Sequence, residues 1–334
     1  MSRQSIVSCR VRLARNLAGT AFPHMMSHAA REKLIGELGA LFGSAAGGHA
    51  FTDLRLDDGN RTAARALMER HLISPEFAGE DAPHAVVLSE DGSISVMLCE
   101  EDHLRIQVFG DHLEPCCQKA GRLEDLVDEK FPLAFDEKLG YLTACPTNLG
   151  SGLRASALMH LPGLSETGAI RGLIHQAAAG GLTVRGFYGE GTQAAWGYYQ
   201  ISNAVTLGLC EQEIISALTD ITGQISAAEE KAREKIRKDD PAGFEDRVWR
   251  AFGILRNARR VTTKEAMEHL SVLRMAASFG VPPHVTIEKI DGLSRDIWPC
   301  TLQENQKPPG YENARDEARA ALLRKELGGL NHEQ

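Results

Sequence analysis

The stretch Cys145-Pro-Thr-Asn-Leu-Gly-Ser-Gly-Leu-Arg-Ala-Ser156 packs a thiol, an amide, hydroxyls, two glycines and an arginine into one short segment. Pro146 and the glycines argue against a continuous helix or a central strand. Leu153 to Leu161 reads as an ordered element stopped by Pro162. The polar groups therefore sit on a loop feeding a rigid element, a common place for chemistry. Gly150 and Gly152 let the backbone approach a ligand closely, and Arg154 offers a planar fork to a phosphate or carboxylate. No Gly-Lys-Ser/Thr follows, so this is not a P-loop. Gly150, Gly152 and Ala155 fit a dinucleotide fingerprint only loosely, because Pro146 and Asn148 interrupt the strand that should precede it.

Working outward, the next informative segment lies upstream. Ala85 to Leu88 and Ser93 to Leu98 flank Ser89-Glu-Asp-Gly92, the signature of a hairpin. Leu104-Arg-Ile-Gln-Val108 alternates cleanly, with Arg105 and Gln107 on one face. Between these runs stand Glu100, Glu101, Asp102 and His103. Acids in a row usually mark a solvated turn, but the flanking runs are apolar. A carboxylate held there in a cleft gains a tunable basicity. Near the N-terminus, Cys9, Val11 and Leu13 alternate with Arg10 and Arg12, predicting a strand over 7–16 with two arginines on one face. Such a strand suits phosphate oxygens, although two arginines alone also suit a solvated edge.

Downstream, Leu182 to Val184 predicts a short strand opening into Arg185-Gly-Phe-Tyr-Gly-Glu-Gly191. Gln200 to Leu207, with Ile201, Val205 and Leu207 apolar, predicts another. Helices are expected over 31–42, 62–72, 122–130 and 167–179, and from Glu211. Past Ser226 the composition turns charged and helical, with Glu229 and Arg233 spaced for a pair one turn apart. A boundary between residues 227 and 228 follows, with a mixed catalytic domain before it and a helical domain, residues 228–334, after it. The last helix carries Arg315, Asp316, Arg319 and Ala320, and Arg315 and Arg319 are expected to share a face. Net charge is −8, which disfavours nucleic acid as partner, so any polyanion site must be a local arginine cluster. No apolar run approaches the ~20 residues that cross a membrane. Seven cysteines without a Cys-x-x-Cys pair argue against a zinc site and for a reducing, cytoplasmic setting.

Taken together, Ser8-Cys-Arg-Val-Arg12, Glu100-Glu-Asp-His-Leu-Arg105, Cys145-Pro-Thr-Asn148 with Arg154-Ala-Ser156, and Arg185-Gly-Phe-Tyr-Gly-Glu190 occur in an order that resembles the ATP:guanido phosphotransferase (phosphagen kinase) family. The likeness is nearest to its bacterial protein-arginine kinases. It extends to Gln200-Ile-Ser-Asn203 and to Arg315-Asp-Glu-Ala-Arg-Ala320. The resemblance implies an α+β fold: a large antiparallel sheet flanked by helices, then a helical C-terminal domain. Relatives acting on free guanidino compounds carry an extra N-terminal domain of roughly a hundred residues. Its absence ahead of the first motif points to a protein substrate.

The resemblance also implies roles. Arg10, Arg12, Arg105, Arg154 and Arg185 match the arginines around the nucleotide phosphates, and His71 matches a residue near the adenine. The flanking Ser8, Cys9, Val11, Ala155, Ser156, Ala157, Leu158, Gly186, Phe187, Tyr188 and Gly189 complete the nucleotide-binding motifs. Glu101 matches the carboxylate that takes the guanidinium proton, and Glu190 the second carboxylate, also counted in a nucleotide motif. Cys145 matches a thiolate beside the same group, favoured by positive surroundings. Mg²⁺ is expected on phosphate and water, with no carboxylate cage. Arg315, Asp316, Arg319 and Ala320 match a second pocket for phosphoarginine, making the product an allosteric activator. Cys9 stands where serine is usual and Cys99 where asparagine is common. Implied partners are protein substrates with exposed arginines, a zinc-finger activator, a Clp-type unfoldase-protease and a second copy of the chain. The marked proteins would be destined for regulated proteolysis. The competing readings are a free-arginine kinase and a non-catalytic phosphoarginine adaptor.

Overall fold

Alternation of Cys9, Val11 and Leu13 with Arg10 and Arg12 does produce a strand, β1 (Ile6–Arg15). It lies inside the sheet, not at its edge. The computed structural model describes residues 4–44, 51–55, 61–187, 194–308, 311 and 313–328. After β1 come α1 (His28–Ser44), β2 (Phe51–Arg55), α2 (Arg61–Glu69), α3 (Pro75–Ala78), β3 (Ala85–Ser89), β4 (Ile94–Leu98), β5 (Leu104–Gly110) and α4 (Leu113–Asp128). A two-residue hairpin, β6 (Phe135–Asp136) and β7 (Gly140–Tyr141), leads to β8 (Leu153–His160), α5 (Pro162–Glu166), α6 (Ile170–Ala179), β9 (Leu182–Gly186) and β10 (Tyr198–Asn203). Six helices or helical segments close the chain: α7 (Glu211–Asp239), α8 (Pro241–Asn257), α9 (Thr263–Ala277), α10 (Ile287–Asp296), α11 (Pro299–Gln306) and α12 (Ala314–Gly328).

The large sheet runs β2-β3-β4-β5-β1-β8-β10-β9, and all its neighbours pair antiparallel. Its apolar face joins Val11, Leu13, Ile106, Val108, Ala155 and Ala157 to Ile35 and Leu38 of α1, Cys116 and Ala120 of α4, and Ile214 and Leu218 of α7. A second core binds α8 to α12 together, and a third lies beneath α2 and α3. The opposite face is walled at its β3–β4 side by α2 and α3, so a trough remains over β1, β5 and β8.

Several elements depart from the sequence expectation for local reasons. The fourth helix starts at Leu113, not Arg122, because Pro115 is tolerated in a first turn and Leu113 and Cys116 reach the core. The strand expected through Leu207 stops at Asn203. There the amide takes over from the ladder: Oδ1 accepts from the Ala155 N–H at 2.9 Å, and Nδ2 donates to Leu153 O at 3.1 Å and Val205 O at 3.0 Å. Thr262 caps α9 through Oγ1, which accepts from the Glu265 N–H at 3.2 Å. No described helix is long and apolar enough to cross a membrane.

The composition shift at 227/228 falls inside α7, which runs through it unbroken. What binds the two halves is a set of buried charges. Glu229 accepts from the Gly163 and Leu164 N–H groups at 3.0 and 2.8 Å and from Arg233 Nε at 2.6 Å. Arg233 also donates to Gln4 O and His160 O. Arg274 of α9 donates to Gln4 O and Ile6 O and pairs with Asp291 at 2.7 and 3.1 Å. The pair expected from the one-turn spacing forms and is fully buried, with Glu229 and Arg233 side chains 0% and 1% exposed. Removing one partner of such a pair costs about 3–5 kcal/mol. Glu229→Ala is therefore expected to lower the urea midpoint by that equivalent, and an unchanged midpoint would show that the contact carries no stability.

Candidate active site

The polar face of the sheet gathers arginines from four strands. Arg12 of β1 pairs in register with Arg154 of β8, and Arg10 with Ser156. Arg105 of β5 stands opposite Ala14, and Arg185 of β9 opposite Gln200. Because side chains alternate along a strand, these registers send all five guanidinium groups to the same side. Burial and mutual repulsion lower the pKa values of Arg10, Arg12 and Arg154. Burial, then Arg154 and Arg105, brings Arg10 down to about 10. Burial, then Arg10, Arg105 and Arg154, holds Arg12 well below its usual value, with Glu100 opposing. Arg154 is lowered by burial and then by Arg185 and Arg105. The Nε atoms of Arg12 and Arg154 are buried with no hydrogen-bond partner among the described residues. A polyanion is the ligand that would relieve both the repulsion and the missing partners.

The acidic turn between β4 and β5 divides its labour. Asp102 and His103 are buried anchors. Asp102 Oδ1 accepts from Asn16 Nδ2 at 2.6 Å and from the Ala144 N–H at 2.7 Å. His103 Nδ1 accepts from the Leu17 N–H at 3.1 Å. Glu100 is buried against Arg105 at 2.7 Å and accepts from Ser74 Oγ. Only Glu101 emerges, 44% exposed at the side chain and 3.5 Å from Arg105. Burial raises its pKa, Asp102 and Glu100 add to the rise, and Arg105 opposes it. Cys99, which opens the turn, has φ 60, a left-handed conformation that favours asparagine over most residues.

Three connected hollows line up along β1. The first, about 200 Å³, is lined by Glu101, Cys145, Thr147, Asn148, Arg154 and the shared Arg12 and Arg105. The second, about 510 Å³, adds Arg10, His71, Ser74, Gln107 and Trp298. The third, about 450 Å³, holds Ser8, Ser156, Leu158, Tyr198, Asp291 and Ser294. From Ala14 to Ser8 the strand covers about 20 Å. His71 and Phe187 stand where the larger two meet, their rings 4.6 Å apart. Burial, then Arg10, lowers His71 to about 4, so its imidazole is neutral at physiological pH.

Sequence reasoning thus named residues that come together from β1, α2, β4–β5, the loop before β8, and β9. Cys9, Val11, Ala155 and Ala157, named with them, turn the other way into the apolar core. The Cys9 thiol approaches Asp111 O at 3.5 Å, and burial pushes its pKa up to about 12. Gly186 continues the β9 strand beside them. Tyr188, Gly189 and Glu190 lie outside the described residues. In α12, Arg315 is exposed while Arg319 is buried, so the two do not project together as their spacing suggested. Arg319 donates to Ile297 O and Val261 O at 2.8 Å and to Asp316 at 2.5 Å. Ala320 packs in the C-terminal core. Missed from the sequence were Asn16, Gln107 and Gln200, and Trp298 and Asp291 from the helical half. Trp298 reaches the trough because Glu69 of α2 accepts from the Cys300 and Thr301 N–H groups at 3.0 and 2.7 Å, capping α11. No local pattern announces a contact between positions so far apart.

A family model described as the C-terminal catalytic domain of ATP:guanido phosphotransferases matches residues 36–232. The chain belongs to this family. A second model, the protein-arginine kinase McsB C-terminal domain, matches residues 241–334. Among curated relatives, the protein-arginine kinase of Symbiobacterium thermophilum is 42% identical over 327 residues, covering 96% of this chain and 93% of its own length. That of Desulforamulus reducens is 40% identical over 337 residues, covering 98% and 93%. Of solved structures, the duplicated taurocyamine kinase from Schistosoma mansoni with bound transition state analog components aligns at TM-score 0.60 and 28% identity. That match covers 69% of this chain and 34% of the larger one. Lombricine kinase shares the fold at TM-score 0.61 and 24% identity over 69% of this chain and 67% of its own. The family match agrees with the α+β architecture expected from the motifs.

Hydrogen bonds to charged groups are worth about 1.5–3 kcal/mol. Arg12→Gln is accordingly expected to weaken ATP binding about tenfold or more by calorimetry. The Tm without nucleotide should stay level or rise, since one repelling charge is gone. A large fall in Tm with unchanged affinity would assign Arg12 a structural role instead.

Proposed function

We propose that the chain is an ATP-dependent protein-arginine kinase, forming an N–P bond on arginine side chains of proteins. The observation that carries this is the run of Arg10, Arg12, Arg105 and Arg154 along hollows that end at Glu101 and Cys145, with Arg185 on the same face of the sheet. It supplies a charged cradle for a triphosphate and, at one end, a small pocket where Glu101 offers a carboxylate to a guanidinium.

Phosphoryl transfer depends on positioning and on compensating charge. Arg10, Arg12, Arg105, Arg154 and Arg185 would hold the phosphate oxygens in line along β1, with the nucleoside at the Ser8 end near His71. When bound, ATP supplies the phosphoryl group and its Mg²⁺ adds further charge compensation. Among the described residues no group of three or more His, Cys, Asp or Glu is placed to hold a metal ion. Mg²⁺ gives up its water reluctantly, so phosphates and water would carry the ion. Glu101 faces the incoming guanidinium. A guanidinium holds its protons above pH ~12, so a positioned base is needed to take one as nitrogen attacks. The raised pKa of Glu101 makes it a stronger base than an ordinary carboxylate. Cys145 Sγ lies 3.0 Å from Thr147 Oγ1, close to Arg154, where it can orient the guanidinium plane. Glu190 is proposed as the second carboxylate of that pocket.

The reading extends to finer points. All seven cysteines are free, which supports a reducing, cytoplasmic setting. Arg315 and Asp316 would recognise phosphoarginine, with Arg319 and Ala320 holding their helix in place, and so make the product an activator. The kinase would act as a homodimer with a zinc-finger activator, marking proteins for a Clp-type unfoldase-protease.

The deciding assay incubates the protein with ATP, Mg²⁺ and an unfolded protein, and seeks acid-labile phosphoarginine by mass spectrometry. Phosphoarginine should form, and Glu101→Gln should reduce its rate about 10²–10⁴-fold. Excess free arginine should compete weakly; turnover on free arginine alone would favour a phosphagen kinase. Because the base must be ionised, kcat/KM should fall as pH drops through the raised Glu101 pKa. The acid limb is thus expected above the ~4.3 of an ordinary glutamate. A profile flat down to that value would remove Glu101 from the base role.

A further inference from the structure

Nine large apolar side chains are exposed among the described residues, and five of them ring one place: Phe135, Leu139, Val205, Leu207 and Leu209 are 60%, 44%, 48%, 50% and 42% exposed. They stand on two segments, the β6–β7 hairpin and the loop after β10. Both are tied to the loop that lines the small pocket beside Glu101. Gly150 is the knot. The Tyr141 N–H donates to Gly150 O at 2.9 Å, and the Ser151 N–H to Thr206 O at 3.1 Å. The Thr206 hydroxyl donates to Leu149 O at 2.6 Å and lies 3.0 Å from Thr147 O. Gly150 has φ 100, and a Cβ there would stand 2.6 Å from Leu207 Cα. Val205 and Leu207, which flank Thr206, are therefore held beside Thr147 of the pocket wall, and the hairpin is held to the same loop at Gly150.

We infer that this rim is the docking surface for the substrate polypeptide, and that it selects an extended, unfolded segment with apolar residues flanking the target arginine. The inference rests on the protein-arginine reading above. A guanidinium inserted between Glu101 and Cys145 brings its own backbone to the pocket mouth. Its chain neighbours must then lie on the rim, which is continuous with the pocket wall. A free amino acid has no such neighbours and gains nothing there. Folded proteins bury the apolar side chains that would match the rim, whereas unfolded ones expose them. Leu207 and Leu209 do not line the trough, and they are already in solvent, so replacing them leaves the core intact.

The test compares two synthetic peptides, each with one central arginine, flanked by leucines in one and by glycine and serine in the other. On the unaltered protein the leucine-flanked peptide is expected to show a kcat/KM about tenfold higher. That ratio corresponds to ~1.4 kcal/mol of partial apolar burial. Leu207→Ser with Leu209→Ser should bring the ratio close to one by lowering only the leucine-flanked value, with the KM for ATP unchanged. Equal kcat/KM for both peptides on the unaltered protein overturns the docking assignment while leaving arginine phosphorylation standing. Phosphoarginine on neither peptide takes down the kinase reading and this inference together. If the double variant shifts the oligomeric state by sedimentation and leaves the peptide ratio intact, the rim belongs to a second copy of the chain and the assignment fails.

Discussion

Like charges brought together on one face of a sheet constrain everything else in this molecule. Four guanidinium groups line one trough, with Arg185 on the same face of the sheet, in a protein whose net charge is −8. Among the described residues, Arg105 alone of the five has close carboxylate partners, Glu100 and Glu101. Such a cluster is unfavourable by itself: burial and mutual repulsion lower the pKa values of Arg10, Arg12 and Arg154. It persists because the scaffold beneath it is stiff. The opposite face of the same strands is a continuous apolar core, and register fixes which side each arginine takes. A one-residue slip of β1 would bury Arg10 and Arg12 and expose Val11 and Leu13. The hydrophobic pattern that folds the sheet therefore also aims the cradle.

The acidic end is organised by a different device. Buried anchors fix a short turn, and one side chain is left to project. Asp102 and His103 are consumed by Asn16, Ala144, Leu17 and Ala21, so the turn cannot drift. Glu101 projects from that frame into the trough. The loop carrying Cys145 is fixed to that turn at Ala144 and, through Gly150, to the hairpin before it and the loop after β10. Two rigid edges thus face each other across the pocket. Precise placement of this kind accounts for much of the barrier lowering in reactions where little covalent work falls to the protein.

The helical half is more than an appendage. Arg274 and Arg233 grip the first residues of β1 through backbone carbonyls, and Glu69 caps α11. These contacts bring Trp298 and Asp291 to the trough wall. Arg319, which looked like a surface ligand in the sequence, is one of the struts: it holds Ile297 and Val261. A shift of α12 would therefore be felt at α11 and next at α2, one turn from His71. The two halves share buried charges whose separation would leave carbonyls and guanidinium groups unpaired in a low-dielectric interior.

Much of the architecture was legible residue by residue. Alternation over Cys9, Arg10, Val11 and Arg12 determined a strand with two faces of opposite character, because the side-chain period of a strand is two. The Ser89-Glu-Asp-Gly92 turn determined a hairpin, and ordered short motifs determined the family. The sequence also proposed Val205 and Leu207 as strand residues. Tertiary structure decided otherwise, since Asn203 ends the ladder with side-chain bonds to residues some fifty positions away. Likewise, i,i+4 spacing could say that Arg315 and Arg319 lie near each other, but not that a carbonyl of α10's final turn draws Arg319 inward. Local patterns encode periodicity and turn chemistry, which act over a few residues. Which arginines meet, which carboxylate is left exposed, and which helix closes the trough depend on contacts between segments far apart in the chain, and only the folded structure sets those.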